Sequence, residues 1–329
     1  EAVDSALKIA LAYHRIKGHA SRRTLIGRER GYHGVGFGGI SVGGIPYNRA
    51  AFGQLLPYID HLPHTHDLER NAFSRGMPEH GIDFAEALQD IVYLHDPMNV
   101  AAVIVEPVAG STGVLPPPKG YLKRLREICT EHGILLILDE VVTGFGRFGD
   151  ISASEYFECD PDIICMAKGL TNGTVPMGAT FVKQEIYDGF MTGPEYGIEL
   201  MHGYTYSGHP LAAAAAIGTI DTFQDNKIFE NAVAMAGPLE DAVHSLKDKP
   251  FVTDIRNCGI LAGIQLEDSG DPDDPGKSPR EASYELFRRG VMVRYTGPNL
   301  YLSPPLILEE SHIDQMVTTI GEVLTDMAS

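Results

Sequence analysis

The sequence predicts an α/β protein, a mostly parallel sheet covered by helices with a smaller α+β region after it. Three observations carry this. Helix-like and strand-like segments alternate from the first residue to about residue 190. The strand-like runs VAAVIVEP, ILLILDEV and DIICMAK are apolar at consecutive positions, the mark of strands buried on both faces. From His209 the texture changes to two long helical stretches, then strand-like pieces and a last helix. A large domain is expected over 1–220 and a smaller one over 221–329, as suits 329 residues.

The elements follow in order. EAVDSALKIALAYHRIKG has the spacing of an amphipathic helix, and TLIGRERGYHG reads as a short strand running into a glycine-rich loop. DFAEALQDIVYLH is helical by apolar spacing, and VAAVIVEP is a strand stopped by Pro107. KGYLKRLREICTEHG is a helix with Gly133 at its C-terminal end. ILLILDEV, DIICMAK and MGATFVKQ are strands. HPLAAAAAIGTIDTFQDN and KIFENAVAMAGPLEDAVHSL are long helices, and the alanine run 212–216 is read as helix packing. VTDIRNCGILAGIQLE, VMVRYTGPNLYLSPPLIL and a final helix complete the chain, with EDSGDPDDPGKSP as an exposed loop without a role.

The totals exclude several classes. A formal net charge of −18 argues against nucleic-acid binding and for a soluble cytoplasmic protein. No run of about 18 apolar residues is present to span a membrane. Cys129, Cys159, Cys165 and Cys258 form no CxxC pair and are read as free thiols in a reducing compartment. His61, His64 and His66 in HLPHTHD lack the carboxylate or cysteine partners of a metal site. GVGFGG lacks the strand-then-helix context and the later ribose carboxylate of a dinucleotide fingerprint. Arg147 in GFGRFG is read as a loop-anchoring ion pair. The chain opens at Glu1 inside a helical pattern, so it is expected to be a fragment that starts within an element.

Ligands of open parallel sheets bind at the carboxyl ends of the strands. There the sequence places Glu106, then Asp139 and Glu140, then Lys168, each ending an oily run. Any one of them alone is most simply a structural ion pair or a solvated strand end. Together at one end of one sheet they favour a site, because a buried ion needs a partner. A lysine and an aspartate converging in a crevice suit pyridoxal 5′-phosphate (PLP). The amine forms an imine with the cofactor aldehyde, and the aspartate keeps the pyridine nitrogen protonated. Val141, two residues beyond Asp139, could pack on the ring, and Tyr32 in GYHG could stack on its other side. Gly169 is expected to let the backbone pass close to the cofactor.

The strings VEPVAGSTGVLPPPKGYL, ILLILDEVVTGFGR, PDIICMAKGLTNGTVPMGA and HGYTYSGHPLA resemble the class III aminotransferases, PLP enzymes of fold type I. RERGYHGVGFGGISVGGI, DHLPHTHDLERNAFSRGMPEHG and VRYTGPNLYLSPPL are similar to the ω-amino acid:pyruvate (β-alanine:pyruvate) branch. The resemblance implies Lys168 as the Schiff-base lysine, Asp139 on the pyridine nitrogen, and Val141 and Tyr32 against the ring. It implies Glu106 near the ring hydroxyl and the substrate entrance. Thr205 would bind the phosphate of the neighbouring subunit's cofactor, making the protein a homodimer or homotetramer. Arg294 would be a mobile arginine that pairs with a substrate carboxylate through its planar fork. The implied partners are an amine donor and a keto-acid acceptor. The sequence leaves open 4-aminobutyrate, taurine, a diamine or an aryl-alkyl amine as donor, a PLP aminomutase of the same fold, and an inactive subunit. The family's G-[ST]-E-A phosphate-binding segment would begin just before EAVD, so an N-terminal part is expected to be missing.

Overall fold

The computed structural model describes residues 1–53, 55–267 and 277–329. Helix α1 (Ala2–Ile16) buries Val3, Leu7, Ala10 and Tyr13, the face its spacing predicts. Strand β1 (Thr24–Arg28) is buried along its whole length. The glycine-rich loop runs into a six-residue helix, α2 (Phe37–Val42). A strand therefore precedes the GVGFGG segment and a short helix begins within it, at Phe37, which the sequence did not suggest. Gly27 makes the packing possible, because a Cβ there would lie 1.9 Å from the Val42 carbonyl oxygen. Short helix α3 (Pro46–Ala50), strand β2 (Ile59–Leu62), short helix α4 (Leu68–Asn71) and helix α5 (Ala87–His95) follow. Then come β3 (Val100–Val105), α6 (Tyr121–His132), β4 (Leu135–Asp139), β5 (Ile163–Met166), β6 (Ala179–Val182) and α7 (Gln184–Phe190). Helix α6 ends where the sequence predicts, at Gly133 in the left-handed region with φ +63°.

These six strands form one sheet in the order β2-β1-β3-β4-β5-β6. The first five are parallel, and β6 runs antiparallel to β5, with Ile163 opposite Val182 and Met166 opposite Ala179. Side chains alternate between two helical layers. Ala102, Ile104 and Ile137 meet α1 and α7, whereas Val103, Val105, Leu136 and Leu138 meet α5 and α6. Both faces are covered, which is why these strands read as unbroken apolar runs.

Helices α8 (Pro210–Asp225) and α9 (Ile228–His244) lead to a second, antiparallel sheet. Its strands are β7 (Val252–Cys258), β8 (Leu261–Leu266), β9 (Arg294–Thr296) and β10 (Asn299–Leu302), in the order β7-β8-β10-β9. Helix α10 (Lys277–Arg288) precedes β9, and α11 (Glu310–Met327) closes the chain. Leu239 and Val243 of α9, Leu286 of α10 and Ile320 and Leu324 of α11 pack on Ile264 and Leu300 of this sheet. Of the acidic segment expected to be a loop, 268–276 lie outside the described residues. Lys277–Pro279 instead open α10, a helix the sequence reading did not anticipate. The alanine run packs only in part: Ala212 and Ala216 are buried while Leu211 and Ile217 stay exposed. All four cysteines are buried and free. His61 and His66 bond the Gly43 carbonyl and the Gln265 side chain, and the His64 ring accepts from the His66 N–H.

Candidate active site

Strands β1, β3, β4 and β5 are adjacent and parallel, so their carboxyl ends lie side by side at one edge of the sheet. Arg28, Glu106, Asp139 and Lys168 stand at those ends, with the Gly31–Gly34 loop just beyond β1. Lys168 follows β5 after one residue and takes φ +42°, in the left-handed region. That conformation costs an L-residue about 1–2 kcal/mol, the kind of strain that gathers at functional positions. Gly169 has a protein neighbour that a side chain would meet. A Cβ there would lie 2.7 Å from Cβ of Phe145, so the glycine makes room for Phe145. Burial pushes the Lys168 ammonium below the usual lysine pKa; Asp139 and Glu106 oppose that shift, and Arg294 and Arg147 add to it.

Asp139 is buried, and both its oxygens are occupied. Oδ1 accepts the Val141 N–H at 3.1 Å, and Oδ2 lies 2.7 Å from Nδ1 of His33. Glu106 is buried as well, and it does not line the cavity described below. Its Oε1 accepts the Tyr32 N–H at 2.9 Å and its Oε2 the Gly110 N–H at 3.1 Å. Its carbonyl accepts Nη2 of Arg28 at 2.8 Å. Burial raises the pKa of Glu106; His33 opposes this and Asp139 adds to it. Glu140 turns away from this group. It accepts the Ser152 hydroxyl and the Ala153 N–H, both at 2.6 Å, and anchors the loop after β4.

A cavity of about 830 Å³ opens beside Lys168, with Val141, Phe145, Arg147, Thr219 and Tyr301 in its walls. Arg147 does anchor a loop, though not by the ion pair expected of it. Among the described residues it donates instead to the Pro304 carbonyl. Arg294 opens β9 opposite Tyr301, exposed, close enough for its charge to act on Lys168. The Tyr32 backbone is pinned by Glu106 while its half-buried side chain lies outside that cavity lining. Thr205 is exposed in the stretch 191–209 and is not brought to the cavity. That stretch touches α1 through His202, which bonds Ser5 and Lys8.

The structure therefore gathers Lys168, Asp139, Val141, Glu106 and Arg294 at one place, fixes Tyr32 by its backbone and leaves Thr205 apart. It adds one residue the sequence reading passed over, His33. His33 adjoins Tyr32 in the GYHG string, but its partner Asp139 is 106 residues away and no local pattern joins them. A lysine of lowered pKa is neutral, and so nucleophilic, for more of the time. A carboxylate held beside it steadies positive charge nearby. The pair can hold a carbonyl compound that also carries a basic nitrogen.

Residues 1–324 match the sequence profile described as aminotransferase class-III. The omega-aminotransferase of Caulobacter vibrioides is 58% identical over 98% of this chain and 73% of its own length. The beta-alanine–pyruvate aminotransferase of Pseudomonas aeruginosa is 46% identical over 100% of this chain and 73% of its own length. Among solved structures, a PLP-bound amine transaminase from an uncultivated Pseudomonas species superposes with a TM-score of 0.90 at 35% identity. The match covers 100% of this chain and 75% of that one. An (S)-enantioselective omega-transaminase from Thermomicrobium roseum gives 0.89 at 30% identity, over 100% and 73% of the two chains.

Proposed function

The chain belongs to the class III aminotransferases, and from that premise we propose that it carries an amino group from an ω-amino acid or amine to pyruvate. A donor such as β-alanine leaves as the aldehyde and pyruvate leaves as alanine. The cofactor that fits the site is pyridoxal 5′-phosphate. The donor set suits it: a lysine of lowered pKa, a buried carboxylate one strand away, and an adjoining cavity walled by Val141. When bound, this cofactor would supply an aldehyde to carry the amino group and an electron-withdrawing ring to stabilise the carbanion.

The chain's own residues have distinct tasks in this reading. Lys168 holds the cofactor's aldehyde end. Once released, its Nζ moves a proton between carbon atoms, which an amine of lowered pKa does near neutral pH. Asp139 holds negative charge against the pyridine nitrogen, and Val141 and Tyr32 bracket the ring. Glu106 braces the Tyr32 loop from below, toward the ring hydroxyl. Arg294 grips the substrate carboxylate with two parallel hydrogen bonds and swings aside for an uncharged tail. Thr205, exposed in this chain, reaches the phosphate group in a neighbouring subunit, so the active form is a homodimer or a larger assembly.

The observation that carries the reading is the setting of Lys168: strained backbone, a solvent-accessible side chain on an open cavity, and the charges of Asp139 and Glu106 within reach. The test is the visible spectrum of the purified protein with PLP, before and after β-alanine and again after pyruvate. A band that bleaches with donor, returns with acceptor and is trapped by borohydride on Lys168 is the expected result. Trapping on another lysine would remove Lys168 from its role. No spectral change with any amine would overturn the function.

A further inference from the structure

We propose that the protein carries a second small-molecule site, a groove between α1 and the amino ends of β1 and β2, that takes a free monocarboxylate with an apolar tail. The groove lies at the opposite end of the sheet from Lys168 and shares no residue with the cavity there. The inference is independent of the reaction at Lys168.

The groove holds about 470 Å³, within the usual range of small-molecule sites. Its apolar wall includes Leu11 of α1, Leu25 of β1 and Tyr58 just before β2. Four of the chain's 26 lysines and arginines also line it, Lys8, Arg15, Arg22 and Arg23, and none of its 44 aspartates and glutamates does. In a chain of net charge −18 this is a local reversal of sign, and a concave wall of low dielectric focuses such a field.

The charges are unanswered. Arg15 is exposed, and among the described residues its guanidinium has no hydrogen-bond or ion-pair partner. Arg23 reaches the Ala20 carbonyl at 3.4 Å. Lys8 Nζ lies 3.0 Å from Nδ1 of His202, an imidazole kept neutral by burial and by the Lys8 charge. Arg22 is the buried member, only 7% exposed. Its terminal nitrogens donate to neutral acceptors, among them the Pro97, Val100 and His132 carbonyls, and its Nε is buried without a hydrogen-bond partner. A guanidinium at that depth ordinarily has a carboxylate beside it. Here Asp96 acts on it from beyond ion-pair distance.

The apolar wall is unfinished in the same way. Tyr58 takes φ +61°, a backbone conformation that bulky residues rarely keep, while its side chain stays 57% exposed. Its carbonyl is tied to the Leu25 N–H at 2.9 Å. Strain of this kind gathers at ligand clamps. An apolar trough by itself would accept any oily tail, and the cations select the head group. A carboxylate brings the charged acceptors these donors lack, and its tail covers the apolar wall. An amine of the same length meets four like charges, and a short anion leaves the wall wet.

The test is isothermal titration calorimetry with octanoate, hexanoate, acetate and octylamine. It is run on wild type, on Arg294→Ala and on the double variant Arg15→Glu, Arg23→Glu. Octanoate is expected to bind wild type and Arg294→Ala alike, with octylamine at least about tenfold weaker. Each methylene removed should weaken binding about fourfold, so that hexanoate is measurably worse and acetate worse still. The double variant, changed only at exposed side chains, should lose about tenfold or more in octanoate affinity and keep its thermal unfolding and transamination. Octanoate binding lost in Arg294→Ala and retained in the double variant would put the ligand in the Lys168 cavity and overturn the proposal. Equal binding of octylamine, or no dependence on tail length, would overturn it in wild type alone, whether or not the double variant folds. So would absence of octanoate binding, including the case where vesicles of phosphatidylglycerol bind and free octanoate does not, which would make the patch a lipid-surface contact.

Discussion

Two groups of charged residues can be set side by side. One is the strand-end cluster of Lys168, Asp139, Glu106 and His33. The other is centred on Arg256 in the second sheet. All three guanidinium nitrogens of Arg256 find acceptors: Asp254 Oδ2 at 2.8 Å, the Gly113 and Val114 carbonyls, and the Asn299 side chain. Asp254 spends its other oxygen on the Phe73 N–H. The space beside this group is only about 20 Å³, too small for a ligand. In the first cluster Lys168 is strained, its pKa is lowered by burial, a histidine nitrogen is orphaned, and about 830 Å³ lies open alongside. Buried carboxylates are common to both, Asp139 and Glu106 in the first and Asp254 in the second. Completeness differs: a structural group satisfies itself, whereas a functional one leaves atoms and space for something else.

The sharpest way to break this contrast is to remove the central cation from each group. Lys168→Ala should abolish turnover, a loss of roughly 10⁴-fold or more, since nucleophile and proton carrier vanish together. The melting temperature should stay within a few degrees, because among the described residues Lys168 makes no ion pair within 4 Å. Thermal denaturation alongside a transamination assay checks both halves. Arg256→Ala should do the reverse. Breaking a buried pair strands Asp254 and several carbonyls, at a cost of about 3–5 kcal/mol. Denaturant titration should show that loss, while activity per folded molecule stays near wild type. If Arg256→Ala proved neutral and Lys168→Ala unfolded the protein, the two groups would have to exchange roles.

Arg294 belongs to the second sheet by its strand and to the first cluster by its charge. Being exposed, it contributes little to stability. Arg294→Ala should cost about 10–100-fold in kcat/KM for β-alanine and pyruvate and much less for an aromatic amine without a carboxylate. Parallel assays on the two donors decide it, and equal losses would return Arg294 to the structural side.

How far the contrast was legible in the sequence depends on the range of the signal. Strands β3, β4 and β5 announce themselves as apolar runs, and their terminal Glu106, Asp139 and Lys168 stand out against that background. Strand β2, at a sheet edge, has three half-buried residues and one buried, Leu62, and no such run, so nothing in the sequence marks it. Helix α10 was hidden because the acidic Pro- and Gly-rich stretch was extended across its first turn. The antiparallel turn of β6 left no local trace, since short strands look alike in either direction. His33 and Arg256 were missed for a common reason. Their meaning lies in partners 106 and 142–143 residues distant, which only the sheet order brings together.

The smallest expected effect tests the self-satisfied group by acid. His66 lies beside Arg256, with Nε2 3.3 Å from the Gln265 side-chain oxygen. Burial, aided by the Arg256 charge, lowers its pKa to about 4. In the unfolded chain the same imidazole titrates near 6.5. Between these values the unfolded state takes up a proton that the folded state refuses, so stability falls as pH drops from about 6.5 to about 4. The slope from this one group reaches up to about 1.4 kcal/mol per pH unit and disappears above the unfolded value. His66→Gln, which cannot be protonated, should flatten the stability profile in that window and leave it unchanged at pH 8. Urea midpoints measured from pH 4 to pH 8 for the two proteins give the comparison. A wild-type profile already flat there would mean that His66 accepts its proton in the folded state. The Arg256 group would then be less closed than its hydrogen bonds imply.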